Sequence, residues 1–322
     1  MSGRRHPPVD VSRRRVLGAL CAAGSLALPG FPPVPNVASA AASGRGLSSR
    51  EIADQLFLIE GAGCNVVLAD ARRSPVLVDG GLAEFGEDLE AYVLNLTEGR
   101  PVRTLFNTHW HWDHTGFNDR CAAAGATIVA HENTKLWMGT DIDLKWASRF
   151  YPARPSGALP TRTFYVNGQL ELEGGETIRY GHTPQAHTDG DMYVFFPRRN
   201  ALIAGDLVST GSYPVIDYVT GGWIGGLVEA TKVLLSVCDS QTTIIPGAGP
   251  IEYRGDLDEQ LHMLSVLKER LWLMIRKGMS VADLLQAGVT REFDDKWGDP
   301  ALFVANAYPG MWGHYGELGG VI

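Results

Sequence analysis

Short apolar runs alternate with amphipathic stretches along the chain after residue 50. Runs of three to five mostly apolar residues between turn residues are typical of buried strands. Such runs predict strands over 56–60, 65–69, 75–78, 102–106, 127–130, 192–196, 201–203 and 243–245, with a hairpin over 163–180. The strands therefore occur throughout the chain and are not collected in one half.

Helices are predicted where apolar residues recur every three or four positions. Three segments show this spacing, around residues 85–96, 224–235 and 257–271. Gly278 ends the last of these, and Ser280 with Asp283 has the spacing of a capping box that begins another helix. The pattern predicts an α/β fold in which helices pack outside two sheets, as one domain over residues 51–322.

The first forty residues differ from the rest of the chain. Five arginines precede an apolar run over 16–28, and Ala38-Ser39-Ala40 has the small residues of a cleavage site. This order predicts a signal peptide over 1–40, since thirteen mostly small residues are too few for a membrane anchor. Ser12-Arg13-Arg14-Arg15 resembles a twin-arginine export signal. We expect a flexible leader over 41–50 and a secreted or periplasmic protein.

Charge restricts the class of partner. After residue 40 the chain carries 23 Lys and Arg against 35 Asp and Glu. Such a surface repels nucleic acid and anionic membranes, so a small-molecule substrate is the expected partner. The three cysteines beyond residue 40 do not form a disulfide framework; Cys121 and Cys238 are predicted core residues, and Cys64 a small buried residue.

Four metal-ligand side chains lie within six residues, directly after the predicted strand 102–106. The segment reads His109-Trp110-His111-Trp112-Asp113-His114. Imidazole and carboxylate ligands together suit zinc, and also iron or manganese. A polar surface loop is the alternative, but it leaves both tryptophans exposed among the histidines without a reason.

The H-x-H-x-D-H pattern of this segment resembles the signature of the metallo-β-lactamase superfamily. Two later segments are similar to further ligand blocks of that family: His187-Thr188-Asp189-Gly190-Asp191 and Ala204-Gly205-Asp206. The resemblance implies an αββα sandwich with a first metal bound by His109, His111 and His187. It also implies a second metal bound by Asp113, His114 and Asp206, with the Asp206 carboxylate bridging the two ions.

One block departs from the family pattern. The family has Gly-His-Gly after the late strand, whereas this chain has Gly247-Ala248-Gly249. Alanine cannot bind a metal, so one tight zinc and a second, weaker one are expected. Either a natural variant or an introduced His-to-Ala change explains the sequence. His182 is the first candidate for a replacement ligand, although a structural role for it is favoured.

The resemblance implies hydrolysis by zinc-bound hydroxide, with Asp113 as the catalytic residue that orients the nucleophile. Esters, thioesters and lactones are favoured over β-lactams, because β-lactamases of this family generally have Cys or Ser where Asp206 stands. A β-lactamase-type amide hydrolase and a metal-retaining accessory protein with little activity remain alternatives. We interpret the segment 139–163 as a long loop, and its aromatic residues and arginines as either a lid or solvated surface.

Overall fold

The computed structural model of the protein describes residues 46–70, 74–173 and 175–314. The predicted signal peptide and the first part of the leader lie outside the described residues. Fourteen strands are described: β1 (Ser48–Ala53), β2 (Leu56–Glu60), β3 (Val66–Ala69), β4 (Val76–Val78), β5 (Thr104–Phe106), β6 (Thr127–His131), β7 (Ile142–Leu144), β8 (Arg149–Tyr151), β9 (Arg162–Phe164), β10 (Asn167–Glu171), β11 (Thr177–His182), β12 (Met192–Phe196), β13 (Ala201–Gly205) and β14 (Thr243–Pro246).

The helices lie between and after these strands. The described α-helices are α1 (Gly86–Leu96), α2 (Trp112–Thr115), α3 (Asn118–Ala123), α4 (Glu132–Met138), α5 (Ile224–Val237), α6 (Arg254–Ile275), α7 (Val281–Ala287), α8 (Asp294–Trp297) and α9 (Ala301–Gly313). Helix α7 begins at the predicted capping box, in which Ser280 and Asp283 bond each other's backbone N–H groups. Among the described residues, no helix combines the length and apolar character needed to cross a membrane.

Two large sheets form the centre of the domain. The first has the strand order β1-β2-β3-β4-β5-β6-β9 and the second has the order β10-β11-β12-β13-β14. A buried cluster fills the space between their facing sides, with Phe106 and Val78 from the first sheet and Tyr180 and Ile203 from the second. Separate apolar clusters cover the outer faces, so the predicted α/β sandwich of two mixed sheets with outer helices is confirmed.

The segment 139–163 was predicted to be a long loop, but it contains secondary structure. It contains the small antiparallel pair β7 and β8 and then β9, which extends the first sheet by pairing in parallel with β6. Each of these strands has only three residues, too few for an alternating pattern to show in the sequence. We call residues 142–151, from the start of β7 to the end of β8, the aromatic hairpin.

The boundary of the leader also needs correction. Strand β1 begins at Ser48, inside the predicted leader over 41–50, and Ser48 pairs with Glu60 of β2. Exposed and half-buried positions make up this edge strand, so its polar sequence does not resemble a buried run. Backbone pairing with β2 therefore orders a segment whose side chains gave no strand signal.

Candidate metal centre

The predicted ligands meet at one edge of the two sheets. The loop after β5 carries His109, His111, Asp113 and His114, the loop between β11 and β12 carries His187, and Asp206 follows β13. The backbone N–H of Met192 in the second sheet donates to the carbonyl of Thr108 in the first, at 2.9 Å. That bond joins the two sheets directly beside the ligand loop.

Four side chains converge with atoms that suit a metal ion. One nitrogen each of His109, His111 and His187 and one oxygen of Asp206 all lie within 4.8 Å of one another. The Asp206 Oδ2 lies 3.5 Å from His187 Nε2 and 3.8 Å from His109 Nε2. Neighbouring ligands of one tetrahedral ion have separations of this order.

Hydrogen bonds fix which nitrogens of two imidazoles face the centre. His187 Nδ1 lies 2.8 Å from the carbonyl oxygen of Val215, which can only accept, so Nδ1 carries the proton. His111 Nε2 lies 3.2 Å from the carboxylate of Asp217 and donates to it in the same way. The remaining nitrogens, His187 Nε2 and His111 Nδ1, therefore carry lone pairs instead of protons. These two nitrogens lie 3.0 Å apart.

Two facing lone pairs at that distance repel each other unless a cation lies beside both. A further buried nitrogen points into the same space, because His109 Nε2 has no hydrogen-bond partner among the described residues. Burial, reinforced by the neighbouring His114, holds the pKa of His109 well below its usual value, so His109 is neutral. A neutral imidazole with an unpartnered nitrogen is the form in which histidine binds metals. These observations fit a bound cation.

The residues predicted for a second metal lie beside this group. His114 Nε2 lies 3.4 Å from Asp206 Oδ1 and 3.9 Å from Asp113 Oδ2. Asp206 thus directs one oxygen to His109 and His187 and the other to His114. Burial raises the pKa of Asp206, but the neighbouring imidazoles, His114 foremost, lower it further and hold it well below its usual range. An ionised carboxylate in this position suits the bridging role that the resemblance implies.

Asp79 supports both the ligand loop and His114. Its Oδ1 accepts from the backbone N–H of Thr108 at 2.8 Å, and its Oδ2 lies 2.9 Å from His114 Nδ1. The residue is buried and has φ 61°, a left-handed conformation that aspartate tolerates better than most residues. The Asp79 carboxylate therefore directs His114 Nε2 toward Asp206.

The loop that carries Ala248 passes close to the second set. Asn65 donates its side-chain N–H groups to the carbonyls of Pro246 and Gly249, each at 2.9 Å, and its backbone N–H donates to Gly247. A Cβ atom on Gly247 would lie 2.0 Å from Asp206 Oδ1. Only glycine allows this close approach, while the Ala248 side chain beside it is exposed.

Residues 59–269 match the sequence model of the metallo-beta-lactamase superfamily. The chain belongs to that superfamily. Its members are hydrolases that bind metal ions, and the match covers all six residues predicted to bind metal in this chain.

Two curated relatives illustrate the range of the metallo-beta-lactamase superfamily. The chain is 27% identical over 178 residues to the lactamase-like protein aptB of Emericella nidulans, covering 54% of this chain and 48% of the relative. It is 26% identical over 200 residues to the 2,4-dinitroanisole O-demethylase subunit alpha of a Nocardioides species, covering 61% and 55%. The chain thus spans about half the length of these two relatives.

A solved structure shows the same metallo-beta-lactamase fold. The metallo-beta-lactamase from Pontibacter korlensis has a TM-score of 0.55 and 18% identity to this chain, covering 68% of this chain and 99% of that one. At this identity the likeness concerns the fold alone. Residues after position 269, which include α7, α8 and α9, lie beyond the family match.

Two aspartates that support this candidate metal centre, Asp79 and Asp217, were not among the residues predicted from the sequence. Asp217 is fully buried, and the hydrogen bond and charge of His111 lower its pKa although burial raises it. The position of Asp79 directly after a buried strand was a signal for the first; the segment around Asp217 had no comparable pattern.

Two further histidines, His131 and His182, lie outside the ligand group. They stack on each other with ring centroids 3.8 Å apart, and His182 Nε2 bonds the carbonyl of Asp189. His131 caps helix α4 by accepting from Asn133 N–H. His182 is occupied by these contacts, which agrees with the structural role favoured for it.

The predicted core cysteines are buried: Cys121 packs beneath the first sheet and Cys238 beside α5. Cys64 is buried as well; burial raises the pKa of its thiol, although the neighbouring His114 lowers it. Its loop also carries Asn65, which bonds the loop around Ala248. The burial of Cys64 agrees with the small buried residue predicted there.

Proposed function

We propose that this protein is an exported, zinc-dependent hydrolase that cleaves an ester, thioester, lactone or related bond of a small molecule. The observation that carries the proposal is the convergence of His109, His111, His187 and Asp206 around one point, with three imidazole nitrogens available as ligands. These residues would hold a zinc ion, which would lower the pKa of a bound water toward neutrality and so supply the nucleophile.

The residues of the chain would divide the remaining work. Val215 and Asp217 hold the ligand tautomers of His187 and His111, so that no proton has to leave these faces before metal binds. Asp113 has a partly exposed carboxylate at the rim of the site, and we assign it to orient the attacking water and to accept its proton. Asp206 neutralises positive charge between the two ligand sets.

Aromatic side chains border the centre on the side of His111. Trp110 packs edge-on against His111, and Tyr151 of the aromatic hairpin contacts both Trp110 and Trp112. These rings support an apolar wall beside the reacting bond. Arg154, one of the arginines considered for a lid, instead lies buried over the Trp112 ring and donates to Thr115, which supports a structural role for it.

The test combines metal content with turnover. Protein purified without chelator is analysed for bound metals and assayed on aryl esters, a thioester, lactones, a cephalosporin and 2,4-dinitroanisole. The last two substrates follow from the names of relatives and neighbours. Bound zinc with ester, thioester or lactone turnover supports the proposal; turnover of the cephalosporin alone favours a β-lactamase. Metal without any turnover favours the accessory-protein alternative, and absence of metal contradicts the whole assignment.

Export is tested separately. The proposal rests on the arginines, apolar run and Ala38-Ser39-Ala40 pattern of residues 1–40. Replacing Arg13 and Arg14 together by Lys should retain the full-length protein inside the cell, while the natural sequence yields an exported protein beginning near residue 41. Equal export of both forms would contradict the twin-arginine route, since lysine preserves charge.

A further inference from the structure

We infer that Trp146 of the aromatic hairpin is a positioning residue of the metal centre, acting through Asp217 on the ligand His111. Trp146 Nε1 donates to Asp217 Oδ1 at 3.1 Å, and Asp217 Oδ2 accepts from His111 Nε2 at 3.2 Å. The inference rests on the metal site of the proposed function. It adds a segment of the chain that carries no ligand of its own.

Each oxygen of the Asp217 carboxylate accepts two hydrogen bonds. Besides Trp146 and His111, the carboxylate accepts from the backbone N–H of Val219 and the hydroxyl of Thr220. A buried carboxylate that accepts four donors cannot rotate freely. Its Oδ2 is therefore held where His111 must present Nε2–H, which leaves His111 Nδ1 as the ligand atom.

Asp217 is also tied to a second ligand through its backbone. Its N–H donates to the carbonyl oxygen of His187 at 2.9 Å. Thr220 in turn accepts from the indole N–H of Trp110, between the two first ligands. Asp217 is thus the point at which His111, His187 and the aromatic hairpin are joined.

Trp146 donates to Asp217 from a segment that belongs to neither large sheet. It lies in the short segment between β7 and β8, outside both large sheets, and packs in the apolar cluster that contains Trp110 and Leu144. Removing its N–H leaves Asp217 Oδ1 with one donor fewer and lets the carboxylate turn. Since the Oδ2 atom turns with it, the hydrogen bond that orients His111 is weakened.

The chain offers a matched control for this experiment. Trp137 of helix α4 is also a half-buried tryptophan whose Nε1 donates to an aspartate, Asp189 Oδ1, at 2.6 Å. The Asp189 carboxylate bonds Trp137, and its backbone carbonyl bonds His182, which is not a proposed ligand. Trp146→Phe and Trp137→Phe therefore each delete one indole–carboxylate hydrogen bond, but only the first removes a donor from the carboxylate that accepts from His111.

The experiment measures zinc affinity by competition with a chromophoric chelator, on the full mature chain. We expect Trp146→Phe to weaken zinc binding about 2- to 10-fold, the range that corresponds to one buried hydrogen bond. Asp217→Asn should weaken it roughly 10- to 100-fold, because the amide cannot accept all four donors and favours the wrong His111 tautomer. Trp137→Phe should leave the affinity unchanged.

A spectroscopic readout separates positioning from general loss of stability. The cobalt-substituted protein should show an altered visible absorption spectrum in Trp146→Phe, because the direction of the His111 ligand changes, and the spectrum of Trp137→Phe should match that of the natural sequence. Thermal unfolding of the metal-free proteins serves as the stability reference for both variants. If Trp146→Phe fails to fold, the Asp217→Asn comparison decides.

Equal zinc affinity and equal cobalt spectra for Trp146→Phe and Trp137→Phe would overturn the inference, as would an unchanged affinity in Asp217→Asn. Failure of the proposed function gives different results. If the metal site itself is absent, the natural sequence binds neither zinc nor cobalt, and both the proposed function and the inference are wrong. If the natural sequence binds zinc but cleaves no substrate of the panel, only the hydrolase proposal is wrong, and the zinc affinities and cobalt spectra still decide the inference.

Discussion

The two ligand sets differ in how completely their surroundings hold them. In the first set, the outer nitrogens of His111 and His187 are bonded to Asp217 and to the Val215 carbonyl, and the inward nitrogen of His109 has no partner in the described part of the chain. In the second set, among the described residues, only His114 has such support, from Asp79. Its partner Asp113 lies partly exposed at the rim.

The difference has a local cause in the loop after β14. There the backbone of Gly247 touches the second set, and the next side chain, Ala248, is exposed and has no donor atom. The first set supplies three imidazoles, whereas the second supplies one imidazole and two carboxylates, one of them shared. On the proposed assignment, the first set is the tighter metal site and the second the weaker one.

Removing a ligand of the first set should have the largest effect. We expect His187→Ala to abolish hydrolysis and most metal binding, because two imidazoles and one shared carboxylate hold zinc poorly. Metal analysis and turnover on the best substrate of the panel measure this. His262→Ala, on an exposed turn of α6, is the control and should behave as the natural sequence. Retained activity in His187→Ala would place the metal centre elsewhere.

Gly247→Ala should come next, through Asp206. The added Cβ would meet Asp206 Oδ1 at 2.0 Å, so the carboxylate must move away from His114. Because displacement of a catalytic group by about 1 Å can cost about 10²-fold, we expect a loss of that order in kcat/KM.

Gly255→Ala is the matched control, since a Cβ there meets nothing within 4 Å. The comparison between the two ligand sets would be broken by a Gly247→Ala protein with normal turnover, because Asp206 would then not be needed on the His114 side.

Ala248→His should strengthen the weaker set. A histidine at this position adds the neutral donor that the second set lacks, so metal content should rise from about one ion per chain toward about two. The direction of the change in turnover should be upward. Ala248→Leu has a side chain of comparable reach without a donor and should leave the metal content unchanged. Two equally tight ions in the natural sequence would contradict the asymmetry between the sets.

The smallest predicted effect concerns the stability of the fold at acid pH, as distinct from the loss of metal. Acid protonates ligands and releases metal from both sets, but His131 makes the fold itself sensitive as well. Burial, with the neighbouring His182, lowers the pKa of His131 from 6.5 to about 4. The unfolded chain binds this proton below pH 6.5 and the folded protein only near pH 4. Stability from neutral His131 is therefore present above pH 6.5 and lost as the pH falls toward 4.

Between pH 7 and pH 5, the free energy of unfolding should fall by roughly 1 kcal/mol more in the natural sequence than in His131→Asn, which keeps the helix cap. Chemical denaturation at both pH values measures it, with His262→Asn as control. Asp191, whose pKa burial raises to about 6, has the opposite sign but acts equally in all three proteins. An identical pH dependence in His131→Asn would show that His131 does not contribute to the loss of stability in acid.

The sequence indicated the side chains that converge at the candidate metal centre, because most of them lie close together along the chain. Their role as metal ligands stays a prediction. His109, His111, Asp113 and His114 stand together after a buried strand, and only the grouping of His187 and Asp206 with them needed the resemblance. Asp217 could not be predicted in this way, because its partners Trp146 and His111 are 71 and 106 residues away along the chain. Supporting hydrogen bonds are properties of the folded arrangement and leave no periodic signal.

The same contrast holds for the fold. Strands of four or more apolar residues, such as β2 and β12, were predicted within a residue of their ends. Strands β7, β8 and β9 were missed, since each has only three residues and one of them is charged, whereas the equally short β4 and β5 carry no charge and are almost entirely buried. Strand β1 was missed because its exposed edge carries polar side chains. The sequence pattern does not reveal strands that are held mainly by backbone pairing.

The ligands come from both sheets, and this has a consequence for how the chain folds. His109 and His111 follow β5, whereas His187 and Asp206 belong to the second sheet, far along the chain. Bringing them together requires the closure of long loops, so the complete set exists only after both halves have formed and packed. An ion that binds only this assembled state stabilises it by mass action. Metal supply should therefore set the lifetime of the protein against unfolding and proteolysis.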